Sequence, residues 1–276
     1  MLSTFVSISW SSMIGWNSMV KALGPLRDVM VWRLSKTVDS YLNIVPSYRP
    51  TKLQMSVQYP SIIDWTPWPS LRDKLIVHHS ANPCLDDLIC EIGNSYVVQA
   101  DLSKLVMCPR PIHGYVNVWD IVRAIGNYGP AATGMESPAG TETATMCGRQ
   151  WLDAYNVDES FVDLNMDPDV VETVERLPAP DARTLFSSRS LATQAFKLLG
   201  MDRGAFHFCM DPKFFENHPE LYSCDDNIIA HGVALRADSV THFPAPKYLD
   251  SLTLKRYEEL SKHALDVANA SVLVAM

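Results

Sequence analysis

The sequence predicts a mainly α fold, a single globular helical domain with a few short strands at most. The main observation is an apolar stripe at helical spacing, typical of a helix that packs one face on a core. The second observation is a set of helix-boundary signals, since Pro69 suits the first turn of a helix and Gly200 suits the end of one. Strand candidates are short, namely VVQA at 97–100 and GVALRA at 232–237. The stripe consists of Leu85, Leu88, Ile89, Ile92 and Tyr96.

Proline and glycine positions indicate where the helices begin and end. The helix that starts at Pro69 should stop before Pro83. Asn82 is then expected to be the N-cap of the next helix, with Pro83 at its first position. Further helices are expected over about 118–125, 190–199 and 252–267.

The domain organisation is predicted to be an N-terminal segment, residues 1–58, packed on a main domain, residues 59–276. A stretch rich in Gly, Ala, Thr, Pro and Ser predicts a mobile loop at about 127–149. Within the N-terminal segment, four apolar residues between 26 and 42 have the spacing of one helical stripe. They are Val29, Trp32, Val38 and Leu42.

Composition and charge exclude several classes of protein. The chain has 276 residues, of which 47% are apolar and 20% charged, so disorder from charge excess is excluded. Its net charge of -8 excludes a generally basic nucleic-acid-binding surface. No basic residue precedes Lys21, and no apolar run approaches the roughly 18 residues of a membrane span. We therefore expect a cytoplasmic protein with no membrane partner.

Cofactor and metal motifs are missing from the sequence. It contains no Walker loop, no GxGxxG and no HExxH, and its six cysteines form no CxxC pair. One group of possible zinc ligands has a spacing that matches no familiar zinc finger. That group is His207, Cys209, His218 and Cys224. We expect neither a cofactor nor a bound metal.

An acidic group is the first candidate for chemistry. Asp86, Asp87 and Glu91 lie at the start of the predicted helix, and Asp87 and Glu91 share one face at a spacing of four. Neighbouring carboxylates can grip a guanidinium through charge-assisted hydrogen bonds, or accept a proton from an amine. The alternative is that aspartate in a first helical turn only complements the helix dipole.

Two adjacent histidines, His78 and His79, precede the acidic group. Neighbouring residues on a helix point in different directions, so the pair is poorly suited to bind one metal ion. Either histidine is a candidate base or proton shuttle. The alternative is a favourable interaction with the negative end of the helix dipole.

Several long strings in a fixed order resemble a known fungal domain. They lie between residues 49 and 235 and are PSIIDWTPWPSLRDKLI (60–76), VNVWDIVRAIG (116–126), MDPKFFENHPEL (210–221) and DDNIIAHG (225–232). The sequence resembles the fungal domain of unknown function that follows the basic region in many bZIP-type transcription factors. This chain has neither a basic region nor leucine heptads, so it is more similar to the stand-alone members.

The stand-alone members include the fungal arginine-containing cyclodipeptide synthases. The resemblance implies an enzyme of secondary metabolism that joins an arginyl group from arginyl-tRNA to a second amino acid, also brought as aminoacyl-tRNA, giving a cyclo(Arg-Xaa) diketopiperazine. It also implies an acidic motif, which Asp86, Asp87 and Glu91 match with one extra intervening residue before the glutamate. His78 or His79 is then a candidate base.

Binding to tRNA also needs cationic side chains that contact the phosphates. DNA is not an expected partner. Candidate phosphate contacts are Arg72, Lys74, Arg110 and Arg123. The alternative is that they are ordinary basic side chains, exposed at the surface or held in salt bridges. The competing hypothesis for the chain is a transcription-associated regulatory or interaction domain without a DNA-binding arm. Under that hypothesis the acidic group has only a helix-capping role.

Overall fold

A computed structural model describes the chain except at several short segments and one long one. The chain divides into two compact units, residues 1–127 with 176–276, and residues 128–175. All of the elements below belong to the first unit. The described residues are 6, 8–10, 16–17, 19–126, 175–204, 207–223, 227–237, 246 and 249–274, with side chains described up to 263.

Most of the regular structure in the described residues is helical. Of the α-helices whose bounds the structure describes, three precede the region of the acidic group, two span it, and five follow it. They are α1 (Leu23–Ser35), α2 (Val38–Leu42), α3 (Lys52–Ser56), α4 (Pro69–His79), α5 (Leu85–Asn94), α6 (Val118–Gly126), α7 (Ala182–Ser187), α8 (Arg189–Leu198), α9 (Pro212–Asn217) and α10 (Ser251–Val274).

The boundary residues act largely as the sequence predicts. Pro69 occupies the first turn of α4, and Gly200 adopts φ 66° in the left-handed region just beyond α8. Asn82 is not the N-cap of α5, which begins at Leu85 after Cys84. The Asn82 side chain instead accepts a hydrogen bond of 2.9 Å from the Cys84 amide, forming an Asx turn that leads into the helix.

The predicted stripe between residues 26 and 42 is broken. Lys36 has φ 45° and ends α1, and Thr37 starts α2 with a capping box that it forms with Ser40. Val29 is buried, whereas Val38 and Leu42 are 74% and 60% exposed. The change of helix direction at Thr37 therefore puts the second half of the stripe in solvent.

A four-stranded mixed sheet corrects the predicted fold class: the fold is mixed α/β, not mainly α. The strands are β1 (Tyr96–Asp101), β2 (His113–Asn117), β3 (Cys209–Met210) and β4 (Val233–Leu235), in the order β3-β1-β2-β4. β1 is antiparallel to β2 and β3, and β2 is parallel to β4. Both candidate strand segments contain strands. β2 (HGYVN) was missed because it contains glycine and asparagine, which are depleted in strands, and β3 because it has only two residues.

The main core lies between helices and one face of the sheet. Val98 and Val116 from the sheet are buried in the same cluster as Leu75 of α4, Ile92 of α5 and Ile121 of α6. Alternate residues of the same strands, Val97 and Tyr115, form a smaller cluster on the opposite face with Ala230. The sheet is therefore buried on both sides where β1 and β2 pair.

N-terminal residues contribute to this core, since Val6, Trp10, Trp16 and Val20 are buried in the main cluster. The division into residues 1–58 and 59–276 stays a prediction, and the proposed loop at 127–149 lies outside the described residues. Within the part of the chain that the structure describes, no helix is both long and apolar enough to span a bilayer.

Candidate functional site

A pocket of about 830 Å³ lies between the N-terminal residues, α1, the 3-10 turn at 61–65, the start of α5 and α10. Its volume is in the range of small-molecule sites, roughly 300–1,000 Å³. A neighbouring cavity of about 50 Å³ has room only for water. Residues on the large pocket's wall include Ser9, Trp10, Leu26, Arg33, Ile62, Asp64, Trp65, Asp86, Asp87 and Tyr257.

Asp86 and Asp87 are the exposed acidic residues of this wall. Both lie in the first turn of α5, where the positive end of the helix dipole stabilises their negative charge. Neither carboxylate has a hydrogen-bond or ion-pair partner in the part of the chain described here. Two carboxylates that have no partner among the described residues therefore lie on the pocket wall, where a cation can pair with either of them.

The other ionic groups on the wall are paired with each other. The Arg33 Nε atom lies 2.5 Å from Oδ2 of Asp64, whose side chain is only 7% exposed. Burial lowers the pKa of Arg33, but the Asp64 and Tyr59 charges and hydrogen bonds outweigh it, so this pKa is raised overall. The Arg33 guanidinium carbon also lies 4.7 Å from the Tyr59 ring centroid. Arg33 and Asp64 therefore compensate each other at this wall.

A hydrogen-bond network holds Asp64 from behind. Its Oδ1 accepts bonds of 2.8 Å from both the Gln54 amide and the Tyr59 hydroxyl. Gln54 in turn accepts a bond of 2.9 Å from Nε of Arg72, which is fully buried. Burial and the Asp64 charge raise the pKa of Tyr59, which keeps its hydroxyl a donor. The network fixes the orientation of the Asp64 carboxylate.

Aromatic rings form the apolar side of the pocket. Trp10 and Trp65 are stacked, with ring centroids 6.3 Å apart and planes inclined by 25°. Near the rim, the hydroxyls of Ser9 and Tyr257 share a hydrogen bond of 2.7 Å that joins the N-terminal segment to α10. The pocket thus has an apolar side, to which the half-buried Trp65 contributes, and an acidic edge.

Glu91 lies outside the pocket and belongs to a second cluster. Its Oε2 is 2.9 Å from Nε2 of His218, and Nδ1 of His218 is 3.6 Å from Oε1 of Glu220. The same Glu220 oxygen is 2.9 Å from Nε2 of His79, whose Nδ1 is 3.2 Å from the Asn82 amide. Glu91 and His79 are therefore brought together through His218 and Glu220, and neither lines the pocket to which Asp86 and Asp87 belong.

The remaining predicted site residues are scattered. His78 is exposed on α4 and does not line the pocket. Arg72 has no exposed surface, so its guanidinium cannot contact a phosphate, and it leaves the proposed tRNA-binding group. Lys74 and Arg123 are half-buried on α4 and α6, and Arg110 is exposed ahead of β2.

The possible zinc ligands have other neighbours. His207 contacts the Gly200 carbonyl at 3.0 Å, and the Cys209 thiol lies 3.7 Å from Oε1 of Gln99. Cys224 lies outside the described residues. Among the residues that are described, no three His, Cys, Asp or Glu side chains are grouped to hold a metal ion.

The pocket contains residues that the sequence did not single out. Ser9, Trp10, Arg33, Asp64 and Tyr257 meet there from positions spread over nearly the whole chain. None of them belongs to a local motif, and the only sequence signal is that Asp64 and Trp65 lie within the DWTPW string. Their assembly depends on long-range packing, which spacing in the sequence does not reveal.

Comparison with known proteins relates one part of the chain to a family. Residues 27–110 match the family described as Domain of unknown function (DUF3425). This is the domain that the sequence resembles, although the match begins before residue 49 and ends well before residue 235. It includes the charged residues of the pocket wall, Arg33, Asp64, Asp86 and Asp87. No curated protein and no solved structure matches the chain.

Proposed function

We propose that the chain is an arginine-containing cyclodipeptide synthase that binds an arginyl group at Asp86 or Asp87. The observation that supports this proposal is the pair of adjacent carboxylates, without partners among the described residues, on the wall of a pocket of about 830 Å³. A guanidinium is planar and carries five donors, so a single carboxylate can accept two parallel hydrogen bonds from it.

The proposed reaction needs no activation by the enzyme because both amino acids arrive as tRNA esters. The α-amine of one aminoacyl group attacks the ester carbonyl of the other. A C–N bond forms, the C–O bond to the first ribose breaks, and the ribose oxygen takes up the proton that the amine loses. The remaining amine then closes the ring on the second ester in the same way. Two ester bonds are exchanged for two amide bonds.

The pocket's part in this reaction is positioning and proton transfer. Holding two acyl groups together makes their reaction effectively unimolecular. An ammonium must lose a proton before it attacks, and the carboxylate of Asp86 or Asp87 that does not hold the guanidinium is the candidate base on the wall. His79 is less suited to that role, because its Nε2 is occupied by Glu220.

Binding of tRNA is proposed to use cations outside the pocket. Lys74, Arg110 and Arg123 are at least partly exposed and remain candidates for phosphate contacts. Because the net charge of the chain is -8, these contacts should be few and sensitive to salt.

The decisive experiment is mass spectrometry of the products of the purified full chain. The reaction contains tRNA, all aminoacyl-tRNA synthetases, ATP and all amino acids, with a ribonuclease-treated control. We expect an arginine-containing cyclic dipeptide that vanishes with ribonuclease and falls sharply in Asp86→Asn and Asp87→Asn. Asp39→Asn is the matched control, since Asp39 is an exposed aspartate in the first turn of α2 and outside the pocket. Absence of any such product, from folded protein with charged tRNA confirmed, would refute the proposal.

A second candidate function is a transcription-associated regulatory or interaction domain. It is favoured by exposed apolar side chains on α2, outside the pocket, where Val38 and Leu42 are 74% and 60% exposed. Under this function Val38→Asp would abolish regulation of a reporter gene. Asp87→Ala would leave regulation intact and change stability by about 1 kcal/mol or less.

A further inference from the structure

We propose that the cavity of about 50 Å³ is a binding site for ordered water, and that this water joins the N-terminal segment to the core behind the large pocket. The site is independent of the proposed function. It is supported by a buried amide that has no partner in the described part of the chain, by three buried hydroxyl-bearing residues around the same cavity, and by a volume that suits water.

Asn17 carries the first of these observations. The residue lines the cavity and is only 3% exposed. Its side-chain nitrogen Nδ2 is buried and forms no hydrogen bond with the residues that the structure describes. Buried polar groups in folded proteins are nearly always hydrogen-bonded, because leaving a donor unpaired costs its full desolvation. The Asn17 amide therefore indicates a hydrogen-bond acceptor inside the cavity.

Three hydroxyl-bearing residues line the same cavity. Tyr48, Thr66 and Tyr96 are 4%, 1% and 7% exposed. Their hydroxyls have no hydrogen-bond partner among the residues described. Burial raises the pKa of Tyr48 and of Tyr96, so both phenols keep their protons and can donate. Because a hydroxyl can also accept, these residues and Asn17 together supply donors and acceptors for water.

The volume of the cavity fits water. One water needs about 10–15 Å³ of cavity and two to four polar partners, so about 50 Å³ admits more than one. The remaining lining is mainly apolar and includes Leu26, Ile89 and Ile92. The few polar side chains of the lining therefore determine where the waters lie.

Water at this site would connect four separate parts of the chain. Asn17 belongs to the N-terminal segment, Tyr48 ends the 3-10 turn at 46–48, Thr66 follows the turn at 61–65, and Tyr96 begins β1. A water that bridges two buried polar groups is nearly as favourable as a direct hydrogen bond. The N-terminal segment is thus attached to the core by bridging water as well as by apolar contacts.

The same water lies behind a wall of the large pocket. Trp10, Leu26 and Trp65 line both the cavity and the pocket, so they separate the two. Loss of the water would change how these side chains are supported without removing any group that faces a ligand at Asp86 or Asp87.

A high-resolution crystal structure of the full chain tests the site directly. We expect at least one ordered water within about 2.7–3.2 Å of Nδ2 of Asn17 and of one of the hydroxyls of Tyr48, Thr66 and Tyr96. A dry cavity would overturn the proposal, and so would an Asn17 amide that is paired with a protein group. Xenon gives the opposite readout, because it enters dry apolar cavities. Xenon bound in this cavity of a pressurised crystal would also overturn the proposal.

Oxygen-17 relaxation dispersion of the solvent counts long-lived internal waters in solution. Asn17→Leu replaces the amide with an apolar side chain of similar volume and should lose at least one such water. Asn43→Leu is the matched control, since Asn43 is exposed and outside the cavity, and it should lose none. An equal number of long-lived waters in the natural chain and in folded Asn17→Leu would contradict the site.

A second variant covers the case in which Asn17→Leu does not fold. Thr66→Val combined with Tyr48→Phe removes two hydroxyls from the cavity and adds no volume. We expect it to lose at least one long-lived water as well. Tyr41→Phe is its control, because Tyr41 packs on Trp32 and does not line the cavity. A water count that stays the same in the double variant as in the control would overturn the proposal.

Discussion

Arg72 is a fully buried cation whose hydrogen bonds hold several chain segments together. Besides Gln54, its guanidinium donates to the carbonyls of Ser47, Thr66 and Arg49 at 2.9, 2.8 and 2.7 Å. Burial lowers its pKa, and the nearby Asp64 charge opposes that effect. Four donated bonds without a directly bound carboxylate make this residue a structural centre behind the pocket.

Removing this guanidinium should therefore be costly. We expect Arg72→Ala to lower the free energy of unfolding by at least about 3 kcal/mol, because it leaves buried carbonyls unsatisfied. Arg72→Lys should recover only part of the loss, since an ammonium cannot reproduce the planar fork. Urea unfolding measures both. Arg27→Ala is the control: its side chain is 68% exposed, and we expect a change within about 0.5 kcal/mol.

Asp87 and Glu91 lie one helical turn apart but face different surroundings, the pocket for Asp87 and His218 for Glu91. Asp87→Asn should reduce the rate of cyclic dipeptide formation about 10- to 100-fold, the range expected on loss of a charged hydrogen bond. Glu91→Gln should leave that rate nearly unchanged. Rates of the two variants are measured with purified arginyl-tRNA. If Glu91→Gln loses more of the rate than Asp87→Asn does, the reaction lies at the histidine cluster and not in the pocket.

At the scale of elements, the histidine cluster connects three parts of the fold. His79 ends α4, Glu91 lies on α5, and His218 and Glu220 follow α9. The contacts are close to 2.9 Å at His79 and at Glu91. The cluster therefore fixes the end of α4 against the segment after α9 and supports α5, whose first turn carries the pocket carboxylates.

The cluster makes part of the stability depend on pH. Slight burial raises the pKa of Glu220, but its backbone hydrogen bond, the His79 hydrogen bond and the charges of His218 and His79 lower it overall, below its ordinary value of 4.5. A carboxyl whose pKa is depressed by folding contributes stability above the unfolded pKa and loses it as the pH falls through the folded pKa. The contribution should be about 1 kcal/mol or less, because the side chain is 34% exposed.

The Glu220→Gln variant removes this carboxylate and so measures its contribution to the free energy of unfolding. The difference in unfolding free energy between the natural chain and the variant should be present at pH 6 and should shrink as the pH falls below about 4.5. Urea unfolding across that range measures it. Glu216→Gln, an exposed neighbour on α9, serves as control and should show no such dependence. A difference that grows toward low pH would contradict the predicted direction of this pH dependence.

At the scale of the whole molecule, the mixed sheet joins segments that are distant in sequence. β2 pairs with β4 in parallel, Gly114 lying opposite Val233. The approach at this point is close, because a Cβ on Gly114 would lie 2.1 Å from the Val233 carbonyl oxygen and 2.7 Å from Leu102 Cδ1. Glycine at position 114 is therefore a condition for the pairing of β4.

Gly114→Ala should separate β4 from β2. We expect the free energy of unfolding to fall by roughly 1–3 kcal/mol, as for other overpacked sites. Gly24→Ala is the opposite case: it lies in α1 with nothing within 4 Å of the added carbon, and we expect a gain of up to about 1 kcal/mol. Thermal unfolding of both variants checks the contrast, and a neutral Gly114→Ala would contradict this strand pairing.

Local sequence signals determined the helices between residues 69 and 126 and near residue 200, because helix periodicity, proline and glycine act within a few residues. They also singled out Asp86 and Asp87. Only the tertiary structure decided the mixed sheet, since β3 and β4 pair with strands more than a hundred residues away. It likewise decided the separation of Asp87 from Glu91 and the burial of Arg72. Packing brings Trp10, Asp64 and Tyr257 to one pocket, and side-chain packing between distant segments leaves no periodic signal in the sequence.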